Sequence, residues 1–203
     1  IGINHQGRLD KAIKLVDAAK RSGVSAVKFQ TYITEYRVKK NSPIFDILKK
    51  CELSFENFKV IKKYCDNQKI LFFSTPFDKE SVIFLNKIGV KLFKIASFNI
   101  SHYQLINEIL KTKKPTIIST GMASLNEIDS VYRYLKENGA NELYIMHCVS
   151  VYPADYEMMN VKFIDTLFKR FGTPVGLSDH TLGISVPTGV RARGAKFFEK
   201  HYT

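Results

Sequence analysis

Eight short runs of apolar, β-branched or aromatic residues punctuate the chain, at residues 1–5, 26–30, 70–76, 92–97, 116–120, 143–148, 174–180 and 197–202. Each predicts a short, largely buried strand. Between them, apolar residues recur at helical spacing. Leu9, Ala12, Ile13, Val16 and Ala19 fall on one stripe of a helix. Residues 54–68, 79–88, 103–111, 125–137 and 161–171 show the same pattern, while 183–193 is a weaker helix because Pro187 and Gly189 lie inside it. Helix starts are marked as well. Asp78 precedes Glu80-Ser81, and Ser124 is followed three residues later by Glu127, the spacing of a capping box.

Successive strand starts lie about two dozen residues apart, with one insertion, residues 32–53, read as a loop after the second strand. Strands alternating with helices across short connections imply a parallel sheet. Eight such units predict an α/β fold of the (β/α)8 TIM-barrel type. The chain opens inside the first strand and stops just after the eighth. The expectation is therefore a single barrel domain over 1–203, truncated at both ends: first strand partial, eighth helix absent. That reading makes the sequence a fragment of a longer protein. Long loops after the strands of this architecture usually carry function.

Composition narrows the class. The 203 residues are 45% apolar and 25% charged, as in soluble globular proteins. No apolar run approaches the roughly 20 residues of a membrane helix. The start, Ile1-Gly2-Ile3-Asn4, has no basic n-region and no apolar h-region. Cys51, Cys65 and Cys148 form neither a disulfide framework nor a metal-ligand spacing. These features predict a cytoplasmic protein with no membrane partner. The net charge of +12 raises a nucleic-acid partner. However, the basic residues are scattered in pairs such as Lys39-Lys40, Lys49-Lys50, Lys62-Lys63 and Lys113-Lys114. Dispersed charge of this kind reads as solvated helix faces, so no nucleic-acid partner is expected.

The strands are apolar until their C-terminal ends. There they present Lys28 and Gln30, Ser74 and Thr75, Lys94 and Ser97, Ser119 and Thr120, His147 and Ser150, Ser178, Asp179 and His180, and Glu199 and His201. In a parallel barrel these ends converge on one mouth. Strand parity sets Val27 and Phe29 on one face and Lys28 and Gln30 on the other, inside the barrel. Lys94, between Phe93 and Ile95, points inward for the same reason. An inward lysine is costly unless it meets an anion. Two of them among hydroxyls describe a phosphate or carboxylate subsite. The alternative is lysines salt-bridged to a strand carboxylate such as Glu199. His180 and His201 end adjacent strands and could share a divalent metal, or each could be a hydrogen-bonded structural residue. Tyr152-Pro153 could line a pocket or simply pack its loop. No phosphate-binding glycine motif, H-E-x-x-H or C-x-x-C is present.

Taken in order, these segments resemble the sialic acid synthase family, which includes N-acetylneuraminate, legionaminate and pseudaminate synthases. The resemblance is carried by Ile1-Gly2-Ile3-Asn4-His5, Val27-Lys28-Phe29-Gln30-Thr31 and Phe73-Ser74-Thr75-Pro76-Phe77-Asp78. It continues through Lys94-Ile95-Ala96-Ser97, Ile118-Ser119-Thr120-Gly121-Met122 and His147-Cys148-Val149-Ser150-Val151-Tyr152-Pro153. It ends with Gly176-Leu177-Ser178-Asp179-His180-Thr181 and Glu199-Lys200-His201-Tyr202-Thr203.

The resemblance implies a transferase that condenses phosphoenolpyruvate with an N-acyl amino sugar such as N-acetylmannosamine. The products are a nine-carbon 2-keto sugar acid and inorganic phosphate. It implies Mn2+ or Mg2+ on His180 and His201. It assigns phosphoenolpyruvate to Lys28, Thr75, Lys94, Ser97, Ser119, Ser150 and Ser178, and the sugar to Gln30, Tyr152 and Asn99. Lys94 and Gln30 are its catalytic candidates. It also implies a C-terminal antifreeze-like domain outside this chain and a homodimer of the full-length protein.

Three departures stand out. The family's glutamate before the Ile1 motif lies outside the chain. Asn99 stands where many members have glutamate. Arg191 and Arg193 stand where the family is small and apolar, and would strain a buried helix face unless they point outward. Asn99 and the two arginines motivate a second reading, a degenerate anion-binding homologue without catalysis. A basic nucleic-acid-associated protein is the third, motivated only by the charge.

Overall fold

The computed structural model describes residues 1–202, which form two compact units, residues 1–93 with Tyr202, and residues 94–201.

The first unit contains α1 (Leu9–Arg21), β1 (Ala26–Thr31), α2 (Thr34–Arg37), α3 (Phe45–Cys51), α4 (Phe55–Asn67), β2 (Leu71–Pro76), α5 (Lys79–Lys87) and the first residue of β3 (Phe93–Ile95). β1 runs parallel to β2, with Ala26 opposite Leu71 and Gln30 opposite Thr75, and β2 pairs with β3 at Ser74 and Phe93. Parity works as expected. Val27 and Phe29 are buried, while Lys28 and Gln30 are half-buried on the other face. Phe29 meets Phe72 at 5.6 Å and Phe58 of α4 at 6.1 Å. Burial of each such ring contributes about 2 kcal/mol. Ser54 caps α4 through Asn57 N, and Asp78 caps α5 through Ser81 N at 2.7 Å.

Two expectations change in this unit. Residues 1–5 do not form a strand but a single parallel bridge, Gly2 to Phe29. Asn4 N and Gln6 N turn back to Ile1 O and Ile3 O, and Gln6 takes a positive φ, so these amides leave the ladder. The insertion at 32–53 is not a plain loop. Its Phe45, Leu48 and Cys51 form a short apolar stripe that winds α3, too brief to read as periodicity. Tyr32 Oη donates to Leu48 O at 2.9 Å, and Glu52 Oε2 accepts from Thr34 N and Oγ1 at 2.9 and 2.6 Å. Gly7 makes room for the insertion. Its φ is +71°, and a Cβ there would sit 2.2 Å from Lys50 O.

The second unit contains the rest of β3, a 3-10 turn (Ser97–Asn99), α6 (Tyr103–Lys111), β4 (Thr116–Ser119), α7 (Leu125–Glu137), β5 (Leu143–Cys148), a second 3-10 turn (Tyr156–Met159), α8 (Phe163–Phe171), β6 (Val175–Asp179), α9 (Ser185–Ala192) and β7 (Phe198–Lys200). Its strands lie in chain order, and β4 to β7 are parallel. The capping box at Ser124 and Glu127 is closed in both directions. His102 caps α6, accepting from Leu105 N at 3.0 Å. α9 forms despite Pro187, which sits in the first turn, where an amide has no partner within the helix. Arg191 and Arg193 do not strain a core. Val186 and Val190 are the buried residues of α9, while Arg193 pairs with Asp165 and Arg191 Nη1 donates to Ala195 O. Within each unit the paired strands described above are parallel and separated by helices, so the fold is α/β.

Candidate functional site

In the second unit the residues gather around Lys94. Its neighbours Phe93 and Ile95 are buried on the opposite face of β3, and parity turns Lys94 away from them, itself only 3% exposed. Lys94 Nζ lies 2.7 Å from Glu199 Oε1, so the strand carboxylate weighed above is its partner. Ser178 Oγ reaches the same oxygen at 3.1 Å and lies 3.3 Å from His180 Nε2. β6 and β7 bring this about by register, since Ser178 stands opposite Glu199.

His180 is fixed by Val149 O, 2.6 Å from Nδ1. A carbonyl can only accept, so Nδ1 carries the proton and Nε2 presents its lone pair. Ser178 has one hydroxyl proton for two acceptors, the Glu199 carboxylate and His180 Nε2. When the hydroxyl turns to Glu199, the His180 Nε2 lone pair is open to another donor or a cation. Burial lowers the His180 pKa, against the opposing pull of Val149 O and Glu199. His201 stands beside it, ring centroids 5.5 Å apart, and Tyr152 packs on both, at 4.0 Å from His180 and 5.4 Å from His201. The structure thus brings His180, His201 and Tyr152 together. Among the described residues no group of three or more His, Cys, Asp or Glu side chains is placed to hold a metal ion. Two imidazoles, one with its tautomer set by a backbone carbonyl, fit a cation that takes its remaining ligands from water or substrate.

A second cluster surrounds Gly121, just beyond β4. Ser97 Oγ accepts from Gly121 N at 3.0 Å. A Cβ on Gly121 would lie 2.4 Å from Ser150 Oγ, 2.9 Å from Ser97 Oγ and 3.1 Å from Cys148 Sγ. Only glycine lets these groups converge. Ser119 is buried on β4, and Cys148 stands opposite Ser178 in register. Asn99 is buried in the 3-10 turn, and its Nδ2 has no hydrogen-bond partner among the described residues. On the other face of β6, Asp179 Oδ1 accepts from Thr181 N and Oγ1, while Lys200 Nζ donates to Asp179 Oδ2 and Thr181 O. His147 is structural. Its Nε2 meets Met159 O at 2.7 Å, and burial lowers its pKa.

In the first unit, Lys28 and Gln30 share a face of β1 beside Thr75 of β2. Thr75 Oγ1 is buried without a hydrogen-bond partner among the described residues. An unpaired buried hydroxyl costs on the order of 1–3 kcal/mol. Gln30 Oε1 accepts from Arg37 Nη1 at 3.3 Å. Arg37 and Gly121 were not singled out from sequence. Their roles depend on loop conformation, and no periodicity announces it.

A profile of the NeuB family matches residues 15–203. An uncharacterized protein of Methanocaldococcus jannaschii is 44% identical over all of this chain and 60% of its own length. The N,N'-diacetyllegionaminic acid synthase of Legionella pneumophila is 41% identical over all of this chain and 62% of its own. The chain therefore spans about three-fifths of these relatives. The crystal structure of N-acetylneuraminic acid (sialic acid) synthetase from Leptospira borgpetersenii, in complex with citrate, matches all of this chain and 70% of that one, with a TM-score of 0.95 and 36% identity.

Proposed function

This chain belongs to the NeuB family, and from that premise we propose that it is the barrel part of an enzyme condensing phosphoenolpyruvate with an N-acyl amino sugar. The products are a nine-carbon 2-keto sugar acid and inorganic phosphate. The observation that carries the reading is the buried Lys94–Glu199–Ser178–His180 network, which combines an anion-binding cation with a metal-competent imidazole.

In the reaction, C3 of the enol bonds to the sugar's aldehyde carbon and the aldehyde oxygen takes a proton. Water adds at C2 and the C–O bond to phosphate breaks, so that the water oxygen becomes the C2 ketone and its two protons go to the new sugar hydroxyl and to phosphate. Lys94 carries the positive charge that meets the phosphoenolpyruvate anion, which then shares the ammonium with Glu199. Ser97, Ser119, Ser150 and Ser178 supply hydroxyl donors to its oxygens, and Lys28 and Thr75 of the first unit have the same assignment. Gln30, Tyr152 and Asn99 are assigned to the sugar. His180 and His201 would hold a Mn2+ or Mg2+ ion, which would supply Lewis acidity toward the aldehyde. Val149 O fixes the tautomer that presents Nε2, and burial disfavours the imidazolium.

The test is phosphate release by the complete reading frame with phosphoenolpyruvate, Mn2+ and a panel of N-acetylmannosamine and diacetamido hexoses. Release with one sugar, lost on chelation and in His201→Ala, is the expected result. Phosphoenolpyruvate binding without release for any sugar would instead favour either a sugar outside the panel or the non-catalytic reading suggested by Asn99.

A further inference from the structure

Arg37 lies at the end of α2, in the insertion after β1. Its guanidinium carbon is 3.8 Å from the centroid of the Phe77 ring and 4.6 Å from that of Tyr32. The two rings stand 6.1 Å apart, nearly edge to face, and both residues are buried. Tyr32 is itself fixed by its hydroxyl on Leu48 O, and the neighbouring Ile33 N is held by Asp78 Oδ2 at 2.8 Å. A planar cation against two aromatic faces has little rotational freedom. From this position Nη1 donates to Gln30 Oε1 at 3.3 Å.

An amide has two distinct ends. A guanidinium can only donate, so it can hold only the oxygen end of Gln30. The Gln30 amide is thereby set with its NH2 group as the end left to a ligand. A glutamine with a free rotor would offer a sugar either end.

We infer that Arg37 is a positioning residue that locks the Gln30 amide with its N–H donors presented, so that this position selects a sugar bearing an acceptor oxygen there. The inference rests on the synthase reading above. It makes the insertion between β1 and α4 a specificity element, acting through Gln30 and not through the phosphoenolpyruvate subsite.

The test is a double-mutant cycle in the complete protein with Arg37→Met, Gln30→Ala and both together. KM for the turned-over sugar, KM for phosphoenolpyruvate and kcat are read for each. Arg37→Met is expected to raise the sugar KM roughly tenfold, about 1.4 kcal/mol. KM for phosphoenolpyruvate and kcat should stay within about twofold. In the Gln30→Ala background, Arg37→Met should add less than about twofold, because its target is gone. Arg37→Lys, which keeps a donor but not the planar fork, should fall between. If Arg37→Met fails to fold, Arg37→Lys carries the same comparison. Effects that multiply independently, or a fall in kcat with an unchanged sugar KM, would overturn the inference. So would an Arg37→Met enzyme with wild-type constants. Failure of the wild type to turn over any sugar is a separate outcome; it removes the synthase reading and the inference with it.

Discussion

Lys94 illustrates how a single buried charge fixes its surroundings. Its side chain is 4% exposed and that of Glu199 17%, so the two charges stabilise each other where water screens little. Removing one strands the other. Lys94→Met is expected to destabilise the protein by about 3 kcal/mol, with Lys94→Met/Glu199→Gln recovering at least half. Urea midpoints would show it, and a loss below about 1 kcal/mol, the scale of a solvated pair, would mean the pair is not buried in solution. Gly121 is the complementary case, a residue whose value is the space it leaves. Its backbone φ is ordinary, so alanine is permitted locally, but the Cβ meets Ser150 Oγ at 2.4 Å. A serine hydroxyl can rotate away. Gly121→Ala should therefore cost only about 1–2 kcal/mol of stability, the usual range for overpacking. It should weaken phosphoenolpyruvate binding by calorimetry about tenfold, or 1.4 kcal/mol. Undiminished affinity would remove Ser97 and Ser150 from the anion subsite.

At the scale of elements, what was legible was whatever repeats. β1 and β2 through β7 begin within a residue or so of the apolar runs, and α6 and α7 match their stripes at both ends. Asp78 and Ser124 mark helix starts because a cap is a local event, settled by a few residues. Residues 1–5 misled because apolar alternation says nothing about where amides go, and here two turns take them. The insertion misled because α2 and α3, of four and seven residues, are held by Tyr32 and Glu52 beside them and tied to each other by the Glu35–Lys49 pair, not by their own periodicity. The site divides the same way. Parity alone turns Lys94 and Gln30 away from the helices, and strand ends alone bring His180 beside His201. Choosing Glu199 over a ligand as the Lys94 partner requires knowing that β7 sets it opposite Ser178. Arg37 requires the folded insertion.

Across the whole molecule, the +12 charge is spread over faces where lysines and arginines pair locally, as Lys62 does with Asp66 and Arg170 with Asp129. The charge that matters more for stability is the one kept off the buried histidines. His5 Nδ1 accepts from Gly7 N at 3.1 Å, so Nε2 carries a proton, buried with no partner among the described residues. Burial, the largest cause, lowers its pKa below the usual histidine value, and burial lowers His147 as well. Unfolded histidines titrate near 6.5. Below that value the unfolded chain binds protons that the folded chain refuses, so stability falls as pH falls. Asp78, whose pKa is raised by burial, works in the opposite sense at the acidic end, because protonation relieves its desolvation. The histidines act first on leaving neutral pH. The urea midpoint of the complete protein should therefore be flat above about pH 7 and decline steadily toward pH 5. His5→Gln, which cannot titrate but can still accept from Gly7 N, should flatten that decline. A variant with the wild-type slope would show that the acid sensitivity arises outside the His5 contact with Phe29, which stacks at 5.9 Å on the ring packing against α4.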